Sequence, residues 1–139
     1  MRRPLALLVL IGLAAIGVVV VALPIVMGSL RGWSRYSDAV LLVHAPVVAG
    51  GVLMIVASDL LKRARRAGRV VATAGAALVA GAGTLLATAW MSLDQEAIGL
   101  VGLAYSLAHI AVIVLIWRGH FDPDVPAAPA APSSASTGR

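Results

Sequence analysis

The amino-acid sequence predicts an all-α protein, an integral membrane bundle of four transmembrane helices. Of its 139 residues, 60% are hydrophobic and 12% are charged, and that charged fraction is about half of what soluble domains carry. The apolar residues form four long stretches, each near the roughly 20 residues that an α-helix needs to cross a bilayer. Peptide groups in lipid must hydrogen-bond within their own segment, so we expect helices.

Short polar segments separate the predicted helices. The helices cover about residues 5–27, 39–61, 70–91 and 97–117. The first stretch is longer than the ~7–15 apolar residues of a signal peptide, so we expect it to be retained in the protein. Asp38 and Asp94 precede the second and fourth helices, where an aspartate can cap a helix N-terminus.

Residues 1–121 are predicted to form one transmembrane domain, and residues 122–139 a tail. The tail is rich in Pro, Ala and Ser and cannot bury much apolar area, so we expect it to be disordered. Trp117 and Phe121 come shortly before it. Because aromatic rings favour the membrane interface, they are expected to mark the cytoplasmic one.

Basic residues are unevenly divided between the two sides of the predicted membrane. One side carries Arg2, Arg3, Lys62, Arg63, Arg65, Arg66, Arg69 and Arg118. The other side carries Arg31 and Arg35, together with Asp38, Asp94 and Glu96. Since cytoplasmic segments hold the excess of Lys and Arg, both termini are predicted to be cytoplasmic. The Arg-, Ala- and Gly-rich composition is typical of GC-rich bacteria, which indicates a bacterial inner membrane.

The composition also narrows the class of function. The chain has no cysteine, which excludes disulfides, thiolate metal sites and cysteine nucleophiles. It lacks the common hydrolase, phosphate-binding and dinucleotide-binding motifs, so we expect a non-catalytic protein. The net charge of +5 comes from residues at the ends of apolar stretches, a topology pattern that predicts no nucleic-acid partner. The expected partners are lipid and either further copies or a larger membrane complex, with this chain as an accessory subunit.

Polar side chains within the apolar stretches are the candidate functional groups. Such groups are costly in lipid, so each is expected to point inward and find a partner. The predicted inward polar residues are Asp59, Thr84, Thr88, Tyr105 and Ser106. His44 and His109 lie in the second and fourth helices. Each histidine is an interhelical hydrogen-bonding group, a member of a proton relay, or a ligand for a metal or heme.

The two histidines support a resemblance to a known family. His44 in LLVHAPVVAGG and His109 in YSLAHIAVIVLIW occupy helices that match one four-helix half of heme A synthase and related two-histidine membrane cytochromes. The layout of residues 5–117 resembles that half. The resemblance implies that His44 and His109 are axial ligands of a heme b, with a function in electron transfer or heme handling as the alternative to an accessory subunit.

The depths of the two histidines can be compared from the sequence. At 1.5 Å per residue, His44 lies about 9 Å below the outer boundary, counted from Asp38. His109 lies roughly 20 Å below it, counted from Glu96. A heme bound by two histidines needs them at similar depth, so this count predicts a mismatch of ~10 Å.

A small transporter is the second alternative. Some small exporters work around a carboxylate within the membrane, and Asp59 is the candidate here. It is followed closely by Lys62 and Arg63. We therefore expect Asp59 to pair with these bases at the cytoplasmic edge.

Overall fold

A computed structural model describes residues 3–29 and 36–123 of the chain. These residues form α1 (Arg3–Ser29), α2 (Tyr36–Arg63), α3 (Arg65–Met91) and α4 (Glu96–Trp117). The prediction of an all-helical chain with four helices is confirmed. Residues 1–2, 30–35 and 124–139 lie outside the described residues, and most of the predicted tail lies among them.

Within the part of the chain that the structure describes, three helices are long and apolar enough to cross a membrane. The segments that meet this criterion are Val43–Arg63, Arg65–Met91 and Glu96–Trp117. Within α1, the apolar segment with described side chains is the shorter Pro4–Val20. Length and composition therefore support a membrane protein.

The boundary between α2 and α3 differs from the predicted one. Only Ala64 separates these helices, and its backbone (φ −146°, ψ 86°) is extended. Arg65 and Arg69 therefore lie on the first turns of α3 instead of in a loop. Gly68 makes this tight hairpin sterically feasible, because a Cβ there would lie 2.6 Å from the Leu61 backbone nitrogen.

The predicted aspartate caps are also corrected. Helix α2 begins at Tyr36, so Asp38 lies within its first turn. Asp94 has a left-handed backbone (φ 56°) and belongs to the turn that ends α3. The Gln95 N–H donates to the Trp90 carbonyl and the Asp94 N–H to the Met91 carbonyl, which is a Schellman motif. Gln95 is the residue that precedes α4, and its side chain makes no capping bond.

Each helix packs against its neighbours in sequence: α1 on α2, α2 on α3, and α3 on α4. Between other helix pairs, contact within the described ranges is marginal at most. The arrangement is therefore a bundle in which α2 and α3 are central and α1 and α4 form the two edges.

Glycines set the distance between the helices. A Cβ at Gly51 would lie 2.7 Å from the Gly12 carbonyl oxygen of α1, and a Cβ at Gly50 would lie 2.5 Å from the Gly75 carbonyl oxygen of α3. No side chain fits at such distances, so the backbones are in direct contact, as is common between transmembrane helices. Two adjacent glycines of α2 thus form two different interfaces.

Helix α3 buries mainly small side chains. The buried residues of α3 are Gly68, Ala72, Gly75, Ala76, Val79, Ala80, Ala82, Gly83 and Ala87. Many large apolar side chains of α3 and α4 are exposed, for example Leu85 (61% exposed) and Val101 (70% exposed). Others, such as Leu61 and Ile116, are buried in the core. In water this arrangement would leave extensive apolar surface unburied, whereas in a bilayer that surface contacts lipid.

Candidate functional site: an apolar cavity beside His44 and Tyr105

A cavity of about 240 Å³ opens among all four helices, in the half of the molecule that contains the α3–α4 turn. We call this half the cavity end. The lining residues are Val18, Val19, Val43, His44, Val47, Ala82, Gly83, Leu86, Trp90, Ile98, Val101, Gly102 and Tyr105. Small residues of α3 and α4 create the space, and valines of α1 and α2 make most of its wall apolar.

His44 and Tyr105 bring polar atoms to this apolar cavity. His44 is half-buried on α2, two residues before Pro46, which lacks an N–H and so leaves one helical hydrogen bond unmade at this level. The Tyr105 hydroxyl is buried and has no hydrogen-bond partner among the described residues. A buried hydroxyl without a partner is energetically unfavourable, which makes Tyr105 the least satisfied group beside the cavity.

His109 lies one helical turn beyond Tyr105 and is buried at 5% exposure. Its Nδ1 is 2.9 Å from the Tyr105 carbonyl oxygen. A carbonyl can only accept, so Nδ1 carries a proton and donates it, and Nε2 is the other ring nitrogen. That Nε2 is buried without a partner in the described part of the chain. The Tyr105 and His109 rings are stacked obliquely, 4.5 Å apart.

A small hydroxyl network joins α3 to α4. The Ser106 hydroxyl donates to the Ala80 carbonyl oxygen at 2.9 Å. The Thr84 hydroxyl lies 3.2 Å from the Ser106 Oγ and 3.0 Å from the same carbonyl. Gly83 allows this approach, because a Cβ there would lie 2.6 Å from the Ser106 Oγ.

The five polar residues that were predicted to point inward differ in how far they are buried. Ser106 is buried and Tyr105 is half-buried. Thr84 is exposed rather than inward, although its hydroxyl bonds the buried Ser106. Thr88 is exposed and donates to the Leu85 carbonyl of its own helix, so it needs no partner from another helix. Asp59 is also exposed rather than inward.

Asp59 belongs to a charged group at the other end of the molecule. Its carboxylate lies 3.0 Å from an Arg63 nitrogen and 3.7 Å from Lys62 Nζ, so the predicted pairing is confirmed. We call this the basic end, and its described charged residues are Asp59, Lys62, Arg63, Arg65, Arg66, Arg69, Arg118 and Asp122.

An ordered turn at the basic end was not predicted from the sequence. Gly119, with φ 76°, ends α4 and reverses the chain. Phe121 is consequently buried at 1% exposure, although it was predicted to lie at the interface. Asp122, predicted to begin the tail, accepts hydrogen bonds from the Arg69 guanidinium at 2.5 and 3.3 Å. A glycine just after a predicted helix, followed by an aromatic residue, is the sequence signal from which this turn could have been predicted.

The described residues do not fit a heme held by both histidines. His44 lines the cavity, whereas the cavity wall on α4 is formed by Tyr105 and not by His109. The Nε2 of His109 has almost no accessible surface, so not even a water-sized group has room beside it. In residues 3–29 and 36–123, no group of three or more His, Cys, Asp or Glu side chains is arranged to hold a metal ion.

Comparisons of the chain with protein-family models, with curated proteins and with solved structures found no match. The cavity itself can hold an apolar group, since its wall is mostly aliphatic.

Proposed function

We propose that this chain is an integral protein of a bacterial inner membrane that crosses the bilayer four times and serves as a non-catalytic accessory subunit of a membrane complex. The observation that supports membrane insertion is that three of the described helices are long and apolar, with small residues of α3 buried at helix contacts and many large apolar side chains exposed. Small residues at helix contacts and large apolar residues outside are what lipid-embedded packing requires.

The charges at the two ends support an orientation with both termini in the cytoplasm. Neighbouring helices are antiparallel, so the basic end contains the α2–α3 turn and the end of α4. Six basic side chains lie there against two carboxylates, whereas Asp94 and Glu96 lie at the cavity end. The excess of Arg and Lys favours the cytoplasmic side.

Single cysteines can test this topology because the chain has none of its own. We expect a membrane-impermeant maleimide to label Gln95→Cys in intact spheroplasts. Arg3→Cys and Ala67→Cys should react only after the membrane is opened. Labelling of Arg3→Cys from outside would contradict a crossing by α1, and extraction of the protein by alkaline carbonate would contradict insertion altogether.

The edge helices support the accessory role. Each packs against one neighbour, so α1 and α4 keep a broad apolar face outward, on which Leu10 and Leu107 are exposed. We infer that α4 contacts a transmembrane helix of a different subunit. A photo-cross-linker at Leu107 should give one discrete product with another membrane protein, whereas the same group at Leu85 of the central helix α3 should not. Adducts with lipid alone, or with a tagged second copy, would contradict this inference.

The heme alternative has one favourable observation, which is that the buried Nε2 of His109 has no hydrogen-bond partner among the described residues. Against it stands the placement of His44 and His109 relative to the cavity. Purified protein supplemented with heme is therefore expected to show no Soret band. A band that disappears in both His44→Ala and His109→Ala would favour the heme function over the accessory one.

The transporter alternative depends on Asp59. This carboxylate is exposed and paired with Lys62 and Arg63, so it is poorly suited to binding cargo in mid-membrane. If the wild-type protein carried a solute into proteoliposomes and Asp59→Asn abolished this flux, the result would favour the transporter function.

A further inference from the structure

A second cavity, of about 330 Å³, lies at the basic end where α3 begins and α4 ends. Its lining residues are Arg65, Arg66, Arg69 and Trp117. Three guanidinium groups around one space form a strong site for a phosphate, because each can donate two parallel hydrogen bonds to its oxygens.

The cavity keeps a surplus of positive charge. Asp122 is engaged by Arg69, and it lies 4.0 Å from a nitrogen of Arg65. Arg66 forms no ion pair or hydrogen bond with any residue that the structure describes. One carboxylate thus faces three guanidinium groups, and the Arg66 donors remain available to an external anion.

The turn after α4 holds two of these arginines in place. Arg69 is fixed by two hydrogen bonds to Asp122, and Arg65 donates to the Pro123 carbonyl oxygen at 3.0 Å. Buried Phe121 anchors that turn. The site is therefore largely preformed, which reduces the entropy lost when an anion binds.

Apolar surface next to the cavity points to the source of the phosphate. Trp117 is 54% exposed. Val70 follows Arg66 by one helical turn, Val114 precedes Trp117 by nearly one turn, and both valines are exposed. Residues spaced by three or four lie on the same helix face, so the exposed apolar surface continues from the cavity along both helices.

We propose that this cavity binds the headgroup phosphate of an anionic phospholipid, whose acyl chains lie along Val70 and Val114. The inference goes beyond the proposed function and rests on its membrane insertion. The basic end would then face the cytoplasmic leaflet, where anionic headgroups attract basic residues.

Native mass spectrometry of the detergent-purified full chain can measure binding of phosphatidylglycerol, with phosphatidylcholine as the neutral reference. We expect wild type to prefer phosphatidylglycerol. Arg66→Gln should weaken this binding roughly tenfold, as expected for the loss of a charge-assisted hydrogen bond. The matched control is Arg63→Gln, which removes the same charge from the same end but lies outside the cavity, beside Asp59. It should change binding less than about twofold.

Two results would overturn the proposal. Equal losses in Arg66→Gln and Arg63→Gln would mean diffuse attraction to the basic end rather than a site. If millimolar inorganic phosphate displaced bound phosphatidylglycerol as effectively as added lipid does, the cavity would be a site for free phosphate instead. The cysteine-labelling experiment reports separately on insertion, so failure of the topology and failure of this lipid site can be told apart.

Discussion

The two ends of the molecule satisfy their polar groups in different ways. At the basic end, the Arg69–Asp122 pair and the Arg65–Pro123 bond connect α3 to the chain after α4. At the cavity end, the Tyr105 hydroxyl is buried without a partner among the described residues, and Asp94 adopts a left-handed backbone. Charged groups at the basic end pair with one another at little cost, whereas the Tyr105 hydroxyl beside the apolar cavity is left unsatisfied. The basic end is therefore expected to be the more stable, and the cavity end the more adaptable.

Gly68→Ala should have the largest effect, because it disrupts the hairpin of the basic end. The new Cβ would lie 2.6 to 2.8 Å from atoms of Leu61, two of them backbone. We expect the free energy of unfolding in detergent micelles to fall by about 3 kcal/mol. Gly81→Ala is the matched control, since no atom lies within 4 Å of its added Cβ. If both variants were equally stable, close packing at Gly68 would be disproved.

Asp122→Asn tests whether the turn after α4 stabilises the basic end. The substitution removes the charge that accepts two hydrogen bonds from Arg69, and we expect a loss of about 1.5 kcal/mol. Asp59→Asn removes an exposed pair at the same end and should cost less than about 0.5 kcal/mol. If the two variants lost the same free energy of unfolding, the Asp122 contact would stabilise the protein no more than the exposed Asp59 pair does.

Tyr105→Phe addresses the cavity end and should have the opposite sign. Removing a buried hydroxyl that lacks a partner is expected to stabilise the protein by about 1 kcal/mol. The same thermal or chemical unfolding assay measures it. A clear loss of stability would mean that the hydroxyl is hydrogen-bonded in the folded protein.

Asp94→Gly should give the smallest effect. Glycine adopts a positive φ more easily than aspartate, so relief of the left-handed conformation should stabilise the α3–α4 turn by about 0.5 kcal/mol. Asp94→Ala, which cannot relieve the conformation, is the control. A stabilisation by alanine as large as that by glycine would rule out backbone strain as the cause.

The number and type of helices could be predicted because they depend on local properties. Apolar runs of the required length identify them without any knowledge of their neighbours. The start of α3 was placed at Val70 instead of Arg65, since a run of arginines is indistinguishable in sequence from a polar loop. Helix continuation through them depends on the fit of Gly68 against Leu61, which is a tertiary contact.

The candidate sites were less predictable for a similar reason. Helical spacing correctly placed Ser106 inside, but it could not tell that Thr88 would bond its own helix. The contact of Arg69 with Asp122 spans 53 positions in sequence and depends on the positive φ of Gly119. Composition indicated a tail from residue 122, and composition contains no information about such a long-range contact.

The adjacent glycines of α2 have a mechanical consequence. Gly51 touches the α1 backbone and Gly50 touches the α3 backbone at almost the same height. If α2 rotated about its own axis, the Cβ atoms of the residues next to these glycines would clash with a carbonyl oxygen of one neighbouring helix. At the same time, a gap would open between α2 and the other neighbouring helix. Displacement of α1 is thereby coupled to displacement of α3, although these two helices scarcely meet.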